Sequence, residues 1–386
     1  MMASRGLLAC IWASLLVWTK CCHATTAREN LVMYIFAPTD PEFIHNLEFF
    51  VREAVLGDTR SDYVIVVQES TDMHNVELPR LPSHARYVWH TNRCYDWGSY
   101  GWLLFTGRVD PTRYRFFFFV NCSVRGPFLP PYARGRVHWT EPFTSRLVGD
   151  VKLVGSTISC EGSPLNGDFR GKWRHNPHVQ SYVVATDQVG LQVLLDDGRV
   201  FHCHNTRWNT IYYSELGSST AILRAGFNLD CLMTKYQGLD WRDKANWDCN
   251  ARYSPQSELT YDGISLDPLE VMFVKVKQLL LQRNVTYALK AARYDTWQEH
   301  GPSDPSALLA NAYAEDEFSF KAPRILTAKA RGPGCFDTAF YRAHNPDQAG
   351  IKTDAELWKH YTFFGQFERR PHRFTCALNY TKYFKS

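Results

Sequence analysis

The sequence predicts an α/β fold. A β-rich segment, Leu31–Phe36, precedes a helical pattern and a second β-rich segment, Tyr63–Val67. The stretch Asn92–Pro127, NRCYDWGSYGWLLFTGRVDPTRYRFFFFVNCSVRGP, repeats the theme. It holds a polar loop, a helix-like segment around Trp102–Phe105, a turn at Asp110-Pro111 and the apolar run Phe116–Val120. That run ends on Asn121, Cys122 and Ser123, ahead of a Gly126-Pro127 turn. Strand, helix, strand in this order suits a parallel α/β sheet, and polar residues at the carboxyl end of a buried strand suit a binding crevice. Four consecutive phenylalanines suit a strand covered on both faces. On periodicity alone, an ordinary buried strand ending in a turn reads the same way.

The 386 residues allow one large domain and a smaller one. A 45% hydrophobic and 15% aromatic content marks a globular chain, and 12 Trp and 20 Tyr suit either an aromatic core or a protein handling sugars. Net charge is +4, from 43 basic and 39 acidic residues, with no basic stripe, which argues against nucleic acid as the main partner. Arg5 followed by apolar Gly6–Trp18, with small residues near Cys22-His23-Ala24, reads as a signal peptide or short anchor over residues 1–24. No other stretch is apolar enough for a bilayer span. Eight cysteines follow: Cys94, Cys122, Cys160, Cys203, Cys231, Cys249, Cys335 and Cys376. An even set in a secretory chain predicts disulfides without fixing their pairing. Of three glycosylation sequons, Asn284 and Asn379 are open to modification, whereas Asn121 ends a buried strand and is expected bare.

The elements follow in order. Thr39-Asp40-Pro41-Glu42 reads as a capping box, with Phe43, Leu47, Phe50 and Ala54 on the core face of the helix it opens. Val151–Ile158 and Val179–Ala185 read as strands around a Gly- and Arg-containing loop, Ser163–Arg174. Thr186 or Asp187 caps a short helix bearing Val189, Val193 and Leu194. His202-Cys203-His204 has the look of a metal clip but lacks an acidic partner, so a structural pair is favoured. In Tyr213–Leu229, Ser214 reads as a cap with Glu215 in the first turn, Leu216, Thr220, Leu223 and Phe227 on one face, and Gly226 at the end. Residues 234–300 carry Asp240, Arg242, Asn246 and Asn250, and Val271–Leu281 reads as a helix closing the main domain. Pro302–Ser306 marks a linker.

The pieces NRCYDWGSYGW, FFFVNCSVRGPF, HVQSYVVATDQVGLQVL and ELGSSTAILRAGFNLDCL, in this order, resemble the rhamnan-synthesis F-type glycosyltransferases and related eukaryotic polysaccharide-building proteins. The resemblance spans residues 30–280 and implies a GT-A-like fold: one Rossmann-type mixed sheet flanked by helices, binding a nucleotide-sugar at its carboxyl edge. The implied layout is a glycosyltransferase domain at 28–300, a linker at 301–323 and a small helical module at 324–386. It places Asn92, Asp96, Gly98, Asn121, Ser123 and Arg125 on the donor side, and His178, Gln180 and Ser181 on the acceptor or sugar side. Glu215 is the expected base for the acceptor hydroxyl, with Asp240 next in line. GT-A enzymes usually carry Asp-x-Asp at the end of the strand matching Phe116–Val120; here the residues are Asn121-Cys122-Ser123. That departure leaves Mn²⁺ or Mg²⁺ an open cofactor assignment, names no metal ligand and gives Arg125 the expected task of neutralising the diphosphate.

The tail resembles a helical module appended to bacterial glycosyltransferases and secreted proteins. The resemblance rests on Phe336, Asp337, Tyr341, Asn345, Pro346, Asp347, His360, Tyr361, Gly365, Glu368 and Arg370. Trp358, Tyr361 and Phe364 are expected in its core, and Asn345-Pro346-Asp347 in a turn. The expectation is thus a transferase of the secretory pathway or a secreted one, taking a nucleotide-sugar donor and a glycan acceptor. The rivals are a catalytically inactive relative that binds carbohydrate or serves as a scaffold, and a glycoside hydrolase built on Glu141 and Glu161.

Overall fold

The computed structural model describes residues 28–69, 76–91, 93–164, 173–300, 328 and 331–376. The N-terminal segment at 1–24, Asn92, the 301–323 linker and Asn379 lie outside them. The chain divides into two compact units, Met1–Gln278 and Leu279–Ser386.

The first unit is built on one seven-stranded mixed sheet, so the α/β expectation holds. Its strands are β1 (Asn30–Phe36), β2 (Ser61–Glu69), β3 (Ala85–Thr91), β4 (Phe116–Asn121), β5 (Val151–Gly155), β6 (Val183–Asp187) and β7 (Asn228–Cys231). They lie in the order β7-β5-β6-β4-β1-β2-β3. Only β6 runs antiparallel to its neighbours. Val183 sits opposite Val120 and Val184 opposite Gly155, so β4 and β5 both run out at the edge where β6 begins. β4 is buried along its whole length. Phe119 meets Trp97, Tyr100 and Phe201, while Phe118 meets Trp139 and Phe143.

Helices α1 (Glu42–Phe50), α2 (Tyr95–Phe105), α3 (Gln188–Asp196) and α4 (Leu216–Arg224) accompany the sheet. Asp187 caps α3 by accepting from the Gly190 amide at 2.8 Å, as its spacing predicts. The expected capping box on α1 is not formed. Asp40 accepts from the Glu42 amide, but the Glu42 carboxylate turns to Arg125 instead.

Three further readings are corrected. The two strands read as Val151–Ile158 and Val179–Ala185 each break in two. Ile158–Ser159 and His178–Val179 leave the sheet and form a ladder of their own. The chains cross at Gly155, where a Cβ would lie 2.2 Å from the Val179 side chain. The Val271–Leu281 helix is not one element. A short turn, Pro268–Val271, ends at Met272 with φ +61°, and Val274–Lys275 then pairs with Val124–Arg125. β-Branched Val274 and Val276 favour that extended course. The helix at Ser214 begins earlier: Thr206 caps it, and a π-helical turn, Thr210–Glu215, feeds into α4. Ser214 is fully buried and its hydroxyl has no hydrogen-bond partner, so it is not a cap. The predicted end holds, with Gly226 at φ +86°.

Disulfides join Cys94–Cys203, Cys160–Cys249 and Cys335–Cys376. Cys122 and Cys231 are buried free thiols, so the even count is not fully spent on bridges. No described helix is long and apolar enough to cross a membrane.

The second unit contains α5 (Thr286–His300), α6 (Thr338–His344) and α7 (Asp354–His360). Phe336, Tyr341, Leu357 and Tyr361 form its core with Trp358 and Phe374 packed against them. Phe364, expected in that core, is 55% exposed because the chain leaves α7 through a π-helical turn. The other motif residues have structural tasks. Asp337 caps α6, Asn345 donates to the Tyr341 and Pro371 carbonyls, and Gly365 leaves room for the Tyr341 hydroxyl.

Candidate functional site

The carboxyl edge of the sheet gathers polar side chains from elements far apart in sequence. Asn121 ends β4, and its Nδ2 donates to Asp96 Oδ2 at 2.8 Å. Its Oδ1 accepts from the Ser123 amide at 3.1 Å and the Ser123 hydroxyl at 2.6 Å. This one side chain therefore fixes the geometry of both neighbours. Asp96 lies in the first turn of α2, where the helix dipole favours an anion. The residue before it, Tyr95, holds φ +52°, a region costly for an aromatic side chain. The Tyr95 carbonyl accepts from Ser99 Oγ at 2.7 Å. The polar loop expected ahead of the helix around Trp102–Phe105 is shorter than its sequence suggests: the helix begins at Tyr95, so Asp96 is helical and follows the third strand.

From the other side, Ser181 in the turn before β6 donates its hydroxyl to Glu215 Oε2 at 3.1 Å. Glu215 closes the π-helical turn rather than opening a helix, so a helix-start dipole does not act on it. π-Turns inside helices occur frequently at functional sites. Burial pushes the Asp96 carboxyl up to about 6, and the charge of Glu215 pushes the same way. The Asn121 hydrogen bond, Lys277 and Lys275 oppose that rise. The Asn121 backbone amide donates to the Tyr182 carbonyl at 3.1 Å, next to Ser181, so Asp96 and Glu215 come together at one edge of the sheet, close enough to two lysines to feel their charge.

Those lysines are absent from the sequence reading. Lys275 and Lys277 lie on the stretch pinned beside β4 by Val276 N donating to the Ser123 carbonyl at 3.1 Å. Asn46 Nδ2 holds the same stretch through the Val276 carbonyl at 2.9 Å. Burial lowers the Lys275 pKa; Glu215 works against that and Lys277 with it. The alternation Val274, Lys275, Val276, Lys277 was the available signal, since period two marks an extended chain with both lysines on one face.

Other expected residues are placed elsewhere or otherwise engaged. A Cβ on Gly98 would lie 2.7 Å from Cys94 Cβ and 3.0 Å from Cys203 Cα, so its close approach is to a disulfide and not to a ligand. Arg125 is buried, with Nη2 on Glu42 at 2.9 Å and Nε on Asn46 at 3.0 Å, which ties α1 to the strand end. It is corrected from a diphosphate partner to a structural ion pair. His178 is held down to about 4 by burial and stays neutral at physiological pH. Gln180 accepts from Thr157 Oγ1 at 2.7 Å and from Gln256 Nε2 at 3.1 Å beside Ser181. Asp240 is half-exposed and chelated by Arg242, whose Nη1 also donates to Asp150. Asp150 immediately precedes β5, so Asp240 sits at the opposite edge of the sheet and is set aside as a second base.

The His202-Cys203-His204 clip dissolves in the same way, as the favoured reading expects. Cys203 is in a disulfide, and His204 stacks on Tyr213 and meets the Arg199 carbonyl. The hydrolase pair also separates. Glu141 pairs with Arg60, just ahead of β2, whereas Glu161 follows the ladder at the carboxyl edge. A hard divalent cation takes six or more oxygen ligands. Here the strand end offers Asn121, Cys122 and Ser123 and no carboxylate, and Asp96 and Glu215 have two ammonium groups nearby. Among the described residues no group of three or more His, Cys, Asp or Glu could hold a metal. The donor set does not fit a resident Mn²⁺ or Mg²⁺.

Fold and crevice define a class: a mixed α/β sheet with its polar site at the carboxyl edge of the strands, the customary ligand position in such sheets. No protein-family model matches the chain, and no curated protein matches it. Among solved structures, a mannosyltransferase from Pyrobaculum calidifontis in complex with GDP-Man and Mn²⁺ is similar at 13% identity and a TM-score of 0.32, over 89% of each chain. That similarity is too low to argue from.

Proposed function

We propose that the chain is a glycosyltransferase, moving a sugar from a nucleotide-activated donor to a glycan hydroxyl. The observation that carries the reading is the joining of Asp96–Asn121 and Ser181–Glu215 at the carboxyl edge of the sheet, linked by the Asn121 backbone amide on the Tyr182 carbonyl. The ordered resemblance of four sequence pieces to the rhamnan-synthesis F-type family supports it. In the reaction the acceptor oxygen attacks the anomeric carbon, the bond from that carbon to the diphosphate breaks, and the acceptor proton passes to Glu215. Ser181 orients the Glu215 carboxylate, which a positioned base requires. Asp96, Asn121 and Ser123 bind the donor through its hydroxyl and phosphate oxygens. The three disulfides favour an oxidising compartment, and Asn284 is exposed for glycan attachment, so we place the protein in the secretory pathway.

The test is a thermal-shift screen of nucleoside diphosphates and their sugars. Ligand at a hundredfold its dissociation constant stabilises a fold by about 2.7 kcal/mol. At least one nucleotide class is expected to raise the melting temperature. A flat response to all of them would replace this reading with that of an inactive carbohydrate-binding relative.

A further inference from the structure

Two cations stand at the same edge of the sheet as Asp96 and Glu215 and feel their charge without pairing with them directly. Lys275 and Lys277 are half-buried, and among the described residues neither lies within ion-pair distance of a carboxylate. Their ammonium groups rest over aromatic rings instead, Lys275 5.7 Å from the Tyr182 centroid and Lys277 5.5 Å from that of Phe43. Both act electrostatically on Asp96, and Lys275 also feels Glu215. The stretch carrying them is not free to swing. It is held by the Val274–Arg125 and Lys275–Val124 pairing, by Val276 N on the Ser123 carbonyl, and by Asn46, which also receives Arg125. Alternate residues of an extended chain share a face at about 7 Å spacing. Two like charges on one face, both partly out of water, disfavour one another, and a bound anion relieves that repulsion. Lys275 carries that cost, its pKa being lowered first by burial.

We propose that Lys275 and Lys277 clasp the diphosphate of the donor from two sides and neutralise it as it departs, in place of a divalent cation. This rests on the transferase reading for the identity of the ligand. It gives Arg125's expected task to other residues, because Arg125 is consumed by Glu42 and Asn46. The two lysines also weaken the repulsion that Asp96 and Glu215 would exert on an anionic ligand. Lysine suits this role as a compact, strongly hydrated cation with three donors.

The test is calorimetric titration of the full chain with ADP, CDP, GDP, UDP and inorganic pyrophosphate, each in EDTA and in Mn²⁺. The variants are Lys275→Ala, Lys277→Ala, the double Ala variant and Lys275→Arg, with melting temperatures measured to confirm folding. At least one nucleoside diphosphate should bind wild type equally well in EDTA and Mn²⁺, to within about threefold. Each alanine should weaken it by about ten- to hundredfold, the loss of one charge-assisted contact. Lys275→Arg should keep most of the affinity, which a purely packing role for Lys275 would not explain. Binding that vanishes in EDTA and returns with Mn²⁺ would overturn the proposal. So would folded alanine variants that bind as wild type does, and that result would leave the transferase reading standing. If pyrophosphate binds through the lysines but no nucleotide binds, the anion site stands and the transferase reading falls. If neither binds wild type, both fall.

Discussion

At Asp96, burial and the neighbouring Glu215 charge outweigh the Asn121 hydrogen bond and two lysines, which leaves the carboxyl titrating at about 6. An unfolded aspartate titrates near 4. Between those values the folded chain holds a proton that the unfolded chain has lost. The contribution of this group to stability therefore falls as pH rises from about 4 to about 6, and stays low above that. Asp96→Asn removes the charge and keeps an acceptor for Asn121. After allowance for solvent screening at a half-buried site, the relief is on the order of 1 kcal/mol. The melting temperature of the variant relative to wild type should therefore rise by roughly 2–4 °C between pH 4.5 and pH 8. A difference that is constant with pH, or that falls, would show that Asp96 is not desolvated. The sequence singles out Asp96, Asn121, Ser123 and Glu215 because each is a polar residue beside a strongly patterned element, and the structure brings them to one edge of the sheet. Arg125 was misread because a guanidinium beside a polar strand end looks the same whether it faces a ligand or a buried Glu42 contributed from 83 residues away. Asp240 was misread for a similar reason, as only the register of β5 and β7 sends it to the other edge.

At the scale of elements, long periodic segments were legible and junctions were not. The buried β4, the Asp187 cap and the Gly226 terminus follow from local pattern. The π-helical turn at Thr210–Glu215 and the break of Val271–Leu281 depend on tertiary pairing, which local propensity does not carry. Helix α2 illustrates the difference. Gly98 looked like a position for close ligand approach, but what approaches is the backbone of Cys203. Gly98→Ala should destabilise the fold by about 1–3 kcal/mol through overpacking. Nucleotide affinity of the protein that remains folded should not change. The measurement is a denaturant melt alongside a binding titration. Lost affinity with unaltered stability would return Gly98 to the binding site.

For the whole molecule, the sheet order puts every residue of the proposed chemistry in Met1–Gln278, at one edge, and the motif residues of the tail into the core and caps of the second unit. A chain ended after about residue 320 should therefore still bind the nucleotide that the full chain binds. Loss of binding in a truncated protein with a cooperative melt would assign the tail a part in the site. The sheet, in turn, is what brings Glu215 to Asp96 across 119 positions of sequence, and transfer chemistry at that junction is the central claim. The rate of sugar transfer by Glu215→Gln tests it most directly, measured against wild type with the donor found by screening. The substitution keeps the shape and the Ser181 contact but deletes the base. The account predicts unchanged folding, donor affinity within about twofold, and transfer slower by at least about a hundredfold. A folded variant that keeps most of the wild-type transfer rate would contradict it.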